Sequence, residues 1–291
     1  MKTLTKDEGM SRAFTEIRVA SWPEALSCLT ELDPFHIFRG QSEAEWTLKT
    51  SIERCHFFGK NYRVEKDFLK DFQRGACTYL ASLPAPDDTL SWLSLMQHHG
   101  APTRLLDFTH SPYVAAYFAL ENAVTDAAVW AIHSQHLKED LAQKSPQSFQ
   151  YRGDEWYDLS DEAFKKIFDD NELSCVFPVR PSVTNKRYMA QQALFVSLGN
   201  TNASFMDQLL SYSWPEYLAE HIVKIILPIA LREEGLYDLS RMNINRAVLF
   251  PDLDGFSMHL KNTYELRYRH ARAVRSHVPT ETAPAVDGIK S

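Results

Sequence analysis

Cysteine is scarce in this chain. Its four copies, Cys28, Cys55, Cys77 and Cys175, form no Cys-x-x-Cys pair. That argues against a disulfide framework or a thiolate zinc centre and fits a reducing compartment. No apolar run approaches the roughly 20 residues that a membrane-spanning helix needs, so no membrane partner is expected. The opening MKTLTKDEGMSR lacks the apolar core of a secretory signal, and the expected location is the cytoplasm. Basic residues are in deficit, 31 Lys and Arg against 38 Asp and Glu, a net charge of −7. Nonspecific nucleic-acid binding needs several cations facing phosphates, so only a local basic groove remains open. Also missing are GxGxxG, GKS or GKT, GxSxG and HExxH, which removes the common dinucleotide, phosphate-loop, hydrolase and zinc-peptidase readings. No internal repeat is evident.

What is present suits an ordinary globular protein: 291 residues, 44% apolar and 24% charged, enough to bury a substantial core. The pattern divides into a flexible lead-in (1–12), one domain (13–275) and a disordered tail (276–291) rich in Pro, Thr, Ala and Gly. Strand signals fall at Phe14–Val19, Phe35–Phe38, Leu105–Leu106, Ala127–Ile132, Cys175–Val179, Met189–Leu198 and Ile222–Ile229. Helix signals fall at 21–32, 64–83, 92–99, 111–120, 161–168, 232–241 and 253–268, with Ser21, Ser111 and Ser160 as caps. The segment 145–160 has no clear period and reads as a long surface loop. Short, unevenly spaced strands favour an α+β fold, a single domain with a mixed or antiparallel sheet flanked by helices, over regular βαβ winding.

Polar groups concentrate in Gln97–Leu120, QHHGAPTRLLDFTHSPYVAAYFAL. Gly100 ends one helix and Pro102 keeps it from resuming. A short strand follows, then a polar corner Asp107–His110, then Ser111-Pro112 opening the next helix as cap and first position. Thr109 and Ser111 sit where unpaired N–H groups favour an anion, and capping explains Ser111 equally well. Asp107 is a candidate acid or sugar-hydroxyl acceptor, or a cap or partner of Arg104. Tyr113 and Tyr117 can stack on a ring or pack in the core. His98 and His99 diverge by about 100° on a helix, so they do not share a metal easily. Either can act as an acid or base, and protonation is favoured at a helix C-terminus. Earlier in the chain Arg39 ends a strand, with Gly40 letting the chain turn away. A guanidinium there can clamp a phosphate or pair with Asp107. Asp252 and Asp254 read as a turn into the last helix, capped by Asp254.

Three segments together resemble the FRG domain proteins: Phe38-Arg39-Gly40, the run His99-Gly100-Ala101-Pro102-Thr103-Arg104-Leu105-Leu106-Asp107-Phe108-Thr109, and Leu249-Phe250-Pro251-Asp252-Leu253-Asp254-Gly255. The resemblance extends over about residues 14–260, and no single activity belongs to the whole family. A fainter likeness, an Arg-Gly strand end followed by a Ser/Thr-bearing strand flowing into an Ala-rich helix, is to the arginine–serine–glutamate class of ADP-ribosyltransferases. It implies an ADP-ribosyltransferase-like fold and an enzyme using NAD, as a transferase or a glycohydrolase, in a toxin or a phage-defence protein. By that likeness Arg39 holds a phosphate, with Gly40, Arg104, Thr109, Ser111, Tyr113 and Tyr117 around the nucleotide. Asp107, His99 and Gln192 (or its neighbour Gln191) act on the ribose side, a protein or nucleic acid is a possible acceptor, and no metal is expected. The class carries a Glu in its late strand where this chain has Gln191-Gln192-Ala193-Leu194-Phe195, so Asp107 or Glu155 has to serve, or the fold binds without catalysing. The alternative is therefore a non-catalytic module for a phosphate-bearing ligand, a nucleotide or a nucleic-acid end.

Overall fold

The computed structural model describes residues 14–148, 151–152, 155–156, 159–182, 185–213 and 217–276. Nine strands are described: β1 (Thr15–Arg18), β2 (His36–Gln41), β3 (Leu105–Thr109), β4 (Ala127–His133), β5 (Tyr151–Arg152), β6 (Glu155–Trp156), β7 (Val176–Val179), β8 (Ala193–Leu198) and β9 (Ile222–Leu227). The first helices are α1 (Trp22–Thr30), α2 (Arg63–Ala76), α3 (Thr89–His98), α4 (Pro112–Glu121), α5 (Ser134–Lys144) and α6 (Asp161–Asp170). Then come α7 (Lys186–Ala190), α8 (Phe205–Leu210), α9 (Leu218–His221), α10 (Arg232–Arg241), α11 (Arg246–Leu249) and α12 (Leu253–Ser276). No helix among the described residues is long and apolar enough to cross a membrane.

Seven strands make one mixed sheet in the order β1-β9-β4-β2-β3-β8-β7. Only β1 and β9 run parallel; the other neighbours are antiparallel. One face of the β1-β9-β4-β2 half is covered by α1, α4 and α10, through Trp22, Ala115, Ala119 and Leu239. On the other half α2, α3 and α6 pack Leu69, Leu93, Met96 and Phe164 against Leu105, Phe177 and Phe195. Thr109 lies opposite Phe38, so strand alternation puts Leu105, Asp107 and Thr109 on the same sheet face as Phe38 and Gly40. The two helical layers therefore share one face and meet over the boundary between β2 and β3. The reverse face buries Ile37, Leu106, Phe108, Trp130 and Val196 under α5 and α8, through Leu137, Phe205 and Leu209. This is a single α+β domain, as the sequence pattern indicates.

The β2–β3 boundary is the weak line of the sheet. Six register pairs join β2 to β4 and five join β3 to β8, but β2 and β3 share one, Phe38 with Thr109. Beyond that pair the ladder stops and the space between the strands is open to side chains.

Several local expectations change. Gly40 lies inside β2 rather than turning the chain: a Cβ there would fall on the Ala115 carbonyl oxygen and 2.5 Å from the Ala119 amide nitrogen. Its missing side chain is what lets the small-residue face of α4 rest on the strand. The polar corner at 107–110 is mostly strand, since Asp107 and Thr109 both pair with β8. The 189–198 strand is shorter: Asn185 caps α7 by accepting from the Tyr188 amide at 2.8 Å, and Gln192 at φ 47° turns the chain into β8. Helix α2 ends at Ala76, well short of 83. Helix α5 is an addition, held by Leu137 and Leu141 one turn apart. Within 145–160, β5 and β6 pair as a small hairpin. Asp252 rather than Asp254 caps α12, accepting from the Gly255 amide at 2.6 Å. The expectations for 1–12 and for the tail beyond Ser276 lie outside the described residues.

Gly40→Ala is expected to lower stability by at least about 1–3 kcal/mol, the usual cost of overpacking, because the methyl meets helix backbone rather than a movable side chain. The shift in urea midpoint measures it, and a variant as stable as the parent would mean that α4 does not rest on β2.

Candidate functional site

The opening between β2 and β3 leads into a cavity of about 370 Å³ at the seam of the two helical layers. Its floor comes from β2, β3 and β8, its walls from α3, α4 and α7, and its rim from the connection after β2, which contributes Trp46 and Arg54.

Arg39 reaches into this opening. Its Nη1 donates to the Asp107 carbonyl oxygen at 2.6 Å and stands 3.7 Å from Asp107 Oδ2. Its Nε is buried without a partner among the described residues. Burial pulls the Arg39 pKa down, and Asp107 opposes that shift while the Arg54 cation adds to it. A guanidinium nevertheless stays charged at any physiological pH.

The Asp107 carboxylate is placed by Gln97. Gln97 Nε2 donates to Oδ2 at 3.1 Å, and Gln97 Oε1 is in turn held by the Thr103 hydroxyl at 2.6 Å. With 56% of the side chain exposed, Oδ1 has no partner among the described residues. It is the one carboxylate among the described residues that line the cavity, against three guanidiniums, Arg39, Arg54 and Arg187. Burial lowers the pKa of Arg187 as well, with Asp107 and Asp252 opposing and Arg246 reinforcing. The cavity is thus locally cationic in an acidic chain, an arrangement that concentrates anions.

Thr109 lines the cavity, but its hydroxyl is committed: it donates to the Gln191 carbonyl at 2.7 Å and accepts from the Ser111 amide at 3.0 Å. It ties the start of α4 to the start of β8. Gln191 also lines the cavity and donates to the Leu249 carbonyl at 3.0 Å, joining the Leu249–Gly255 turn to the wall. The next residue of that turn, Phe250, lies under two guanidiniums, Arg187 and Arg246, each 4.3 Å from its ring centroid.

Other expected site residues stand elsewhere. Arg104 has 1% of its side chain exposed and makes a buried pair with Glu65 at 2.7 Å, donates to Asn171 Oδ1 at 3.1 Å and lies 4.5 Å from the Phe168 centroid. It ties α2 and α6 to β3. Ser111 accepts from the Val114 amide at 3.3 Å as the cap of α4. Tyr113 packs on the α1–α4–α10 core, and Tyr117 is buried with its hydroxyl donating to Glu121 at 2.7 Å. Burial and the Glu121 carboxylate raise the Tyr117 pKa. Neither tyrosine lines the cavity. His99 caps α3 and is exposed, while His98 reaches the rim with its pKa lowered by burial and by Arg187. Gln192 points to solvent from its left-handed turn, so Gln191 is the amide that reaches the site. Glu155 falls in β6, whose side chains lie outside the described set.

Gln97, Trp46, Arg54, Arg187 and Tyr188 belong to the cavity without having been singled out in the sequence. Gln97 opens the polar segment itself. Arg187 and Tyr188 fall just ahead of the strand expected at Met189–Leu198, in a stretch assigned to no element, although Asn185 ahead of Lys-Arg-Tyr-Met-Ala is a usable cap signal.

Breaking the buried Arg104–Glu65 pair leaves an uncompensated charge. Arg104→Ala is expected to cost about 3–5 kcal/mol of stability, read as a lowered denaturation midpoint. Under conditions where the variant is folded, ligand affinity at the cavity is expected to stay within about threefold of the parent, a spread of under 1 kcal/mol. A large loss of affinity in the folded variant would return Arg104 to the binding set.

Searches of curated proteins and of solved structures give no match. A scan against family models gives one, over residues 35–128. That span holds Phe38-Arg39-Gly40 and all of Gln97–Leu120, and leaves the Leu249–Gly255 turn outside it. Over residues 35–128 the chain carries an FRG domain.

Proposed function

We propose that the β2–β3 cavity binds a phosphate-bearing nucleotide, with NAD the candidate ligand, and that Asp107 acts on its ribose. The carrying observation is the convergence of Arg39, Arg54 and Arg187 on a cavity whose described lining holds a single carboxylate, Asp107. Three cations lining about 370 Å³ call for more than one anionic oxygen, and a pyrophosphate supplies them. Charge-assisted hydrogen bonds of this kind contribute about 1.5–3 kcal/mol each. The volume falls in the range of roughly 300–1,000 Å³ common for small-molecule sites. Trp46, half exposed at the rim, offers a platform for a base.

Asp107 supports cleavage as the further step. When the bond from nicotinamide to ribose breaks, the bonding electrons leave with nicotinamide and positive charge develops on the sugar. A carboxylate already oriented by Gln97 stabilises that charge without reorganising. Water attack then gives ADP-ribose, nicotinamide and a proton; an acceptor hydroxyl or amine in place of water gives transfer. Binding without cleavage is the second reading. It is favoured by the absence of a Glu at the late-strand position and by the occupation of Asp107 Oδ2 by Gln97 and Arg39.

Thermal shift with NAD, ADP-ribose and short oligonucleotides, run beside an assay for nicotinamide release, separates the readings. NAD and ADP-ribose are expected to raise the melting temperature, and Arg39→Ala to weaken binding about tenfold to a hundredfold, the loss of one charge-assisted contact. Asp107→Asn is expected to lower nicotinamide release by about a hundredfold or more while ligand-induced stabilisation persists. Stabilisation without release supports the binding module. Silence with every nucleotide and oligonucleotide removes the proposal.

A further inference from the structure

The Leu249–Gly255 turn lies outside residues 35–128, yet it bears on the cavity through a side chain. Of the three guanidiniums in the lining, Arg39 donates to the Asp107 carbonyl at 2.6 Å and Arg54 to the Lys49 carbonyl at 3.2 Å. Arg187 makes no hydrogen bond and no ion pair with any described residue. It is held instead over the Phe250 ring, 4.3 Å from the centroid. A cation drawn to a ring face in this way uses none of its N–H donors. All five stay available on a half-buried group that lines the cavity. Asp107 and Asp252 act on it as opposite charges, and neither pairs with it.

The ring is itself fixed from behind. Arg246 also lies 4.3 Å from the Phe250 centroid, and its Nη1 donates to Glu121 Oε1 at 2.8 Å, where the Tyr117 hydroxyl donates as well. Only 5% of the Glu121 side chain is exposed, so this anchor belongs to the packed end of α4. Phe118, which lines the cavity, meets Phe250 edge to face at 6.0 Å. The backbone around the ring is tied too: Gln191 donates to the Leu249 carbonyl, and the Asp252 amide donates to the Phe250 carbonyl at 2.8 Å. A Cβ at position 255 would fall 2.1 Å from that same carbonyl oxygen. Gly255 is what lets the first turn of α12 close on Phe250. A continuous set of contacts thus runs from Glu121 through Arg246 and Phe250 to Arg187.

We propose that Arg187 is a preorganised phosphate ligand of the cavity and that Phe250 is its positioning residue, which makes the Leu249–Gly255 turn part of the binding site. A long side chain gives up rotamer freedom when it engages a ligand; one already held over a ring has given it up beforehand, and binding is tighter by that difference. A nucleoside diphosphate would then lie with its phosphates toward α7 and its ribose toward Asp107 on β3. The proposal rests on reading the cavity as a phosphate site and does not require that the ligand be cleaved.

The experiment uses the full chain with inorganic pyrophosphate as the probe and affinity read by titration calorimetry. Arg187→Ala is expected to weaken binding about tenfold to a hundredfold, the loss of one charge-assisted contact. Phe250→Leu keeps an apolar side chain but removes the π face, and is expected to weaken binding about threefold to thirtyfold. Phe250→Tyr restores the ring and is expected to bind as the parent does. In an Arg187→Ala background Phe250→Leu is expected to add nothing, because the group it positions is gone; a merely structural role would weaken binding in both backgrounds. Unchanged affinity in Arg187→Ala or in Phe250→Leu, an equal loss from Phe250→Leu with and without Arg187, or no pyrophosphate binding by the parent overturns the proposal. Should Phe250→Leu not fold, NMR of the parent decides. The Arg187 side-chain protons, assigned by their loss in Arg187→Lys, are expected upfield of the ordinary arginine range through the ring current, and unshifted protons overturn the proposal. Pyrophosphate binding with this pattern of variants, but none of NAD or ADP-ribose, supports the proposal while removing the nucleotide reading.

Discussion

The Arg39 guanidinium stands where the sheet fails to close. Between β2 and β3 one register pair, Phe38 with Thr109, replaces the ladders found on either side. Arg39 Nη1 crosses the remaining opening to the Asp107 carbonyl, so a side chain does there what a backbone ladder does elsewhere. A guanidinium has five N–H donors in a rigid fork, and that bond uses one of them. The same group can join the halves of the sheet and still present donors to a ligand. Its burial lowers its pKa, yet the charge persists, and desolvation makes an incoming anion more welcome than bulk water would.

Each residue of Phe38-Arg39-Gly40 then has its own physical task. Phe38 fills the core beneath α4, Arg39 projects into the opening, and Gly40 lets the backbone of α4 approach at Ala115 and Ala119. The polar segment between α3 and α4 divides in the same way. Arg104 is wholly structural through Glu65, Asn171 and Phe168, and Thr109 is half so. Asp107 is the residue left facing space, held by Gln97.

Much of this was legible in the sequence. The strands and caps around Ser21, Ser111 and Ser160 were readable because periodicity and cap chemistry are local. So was the meeting of Arg39, Asp107 and Thr109, since polar groups concentrated between two apolar elements have to be accommodated together. Tertiary context decided the rest. Nothing local distinguishes Arg104, which finds Glu65 39 residues away, from Arg39, which finds open space. His99 and Gln192 were favoured over His98 and Gln191 because adjacent residues differ only in the direction their side chains take, which is fixed by a cap in one case and by a positive φ in the other.

A cationic cavity at an incompletely paired seam, with one oriented carboxylate inside it, is the arrangement on which the functional account rests. A crystal of the protein soaked with ADP-ribose tests it most directly. The account predicts electron density in the β2–β3 opening, with phosphate oxygens within hydrogen-bonding distance of Arg39 and of Arg54 or Arg187, and a ribose hydroxyl on Asp107. Density for the ligand anywhere else on the molecule, or an Arg39 whose contacts do not change when ligand is bound, would contradict it.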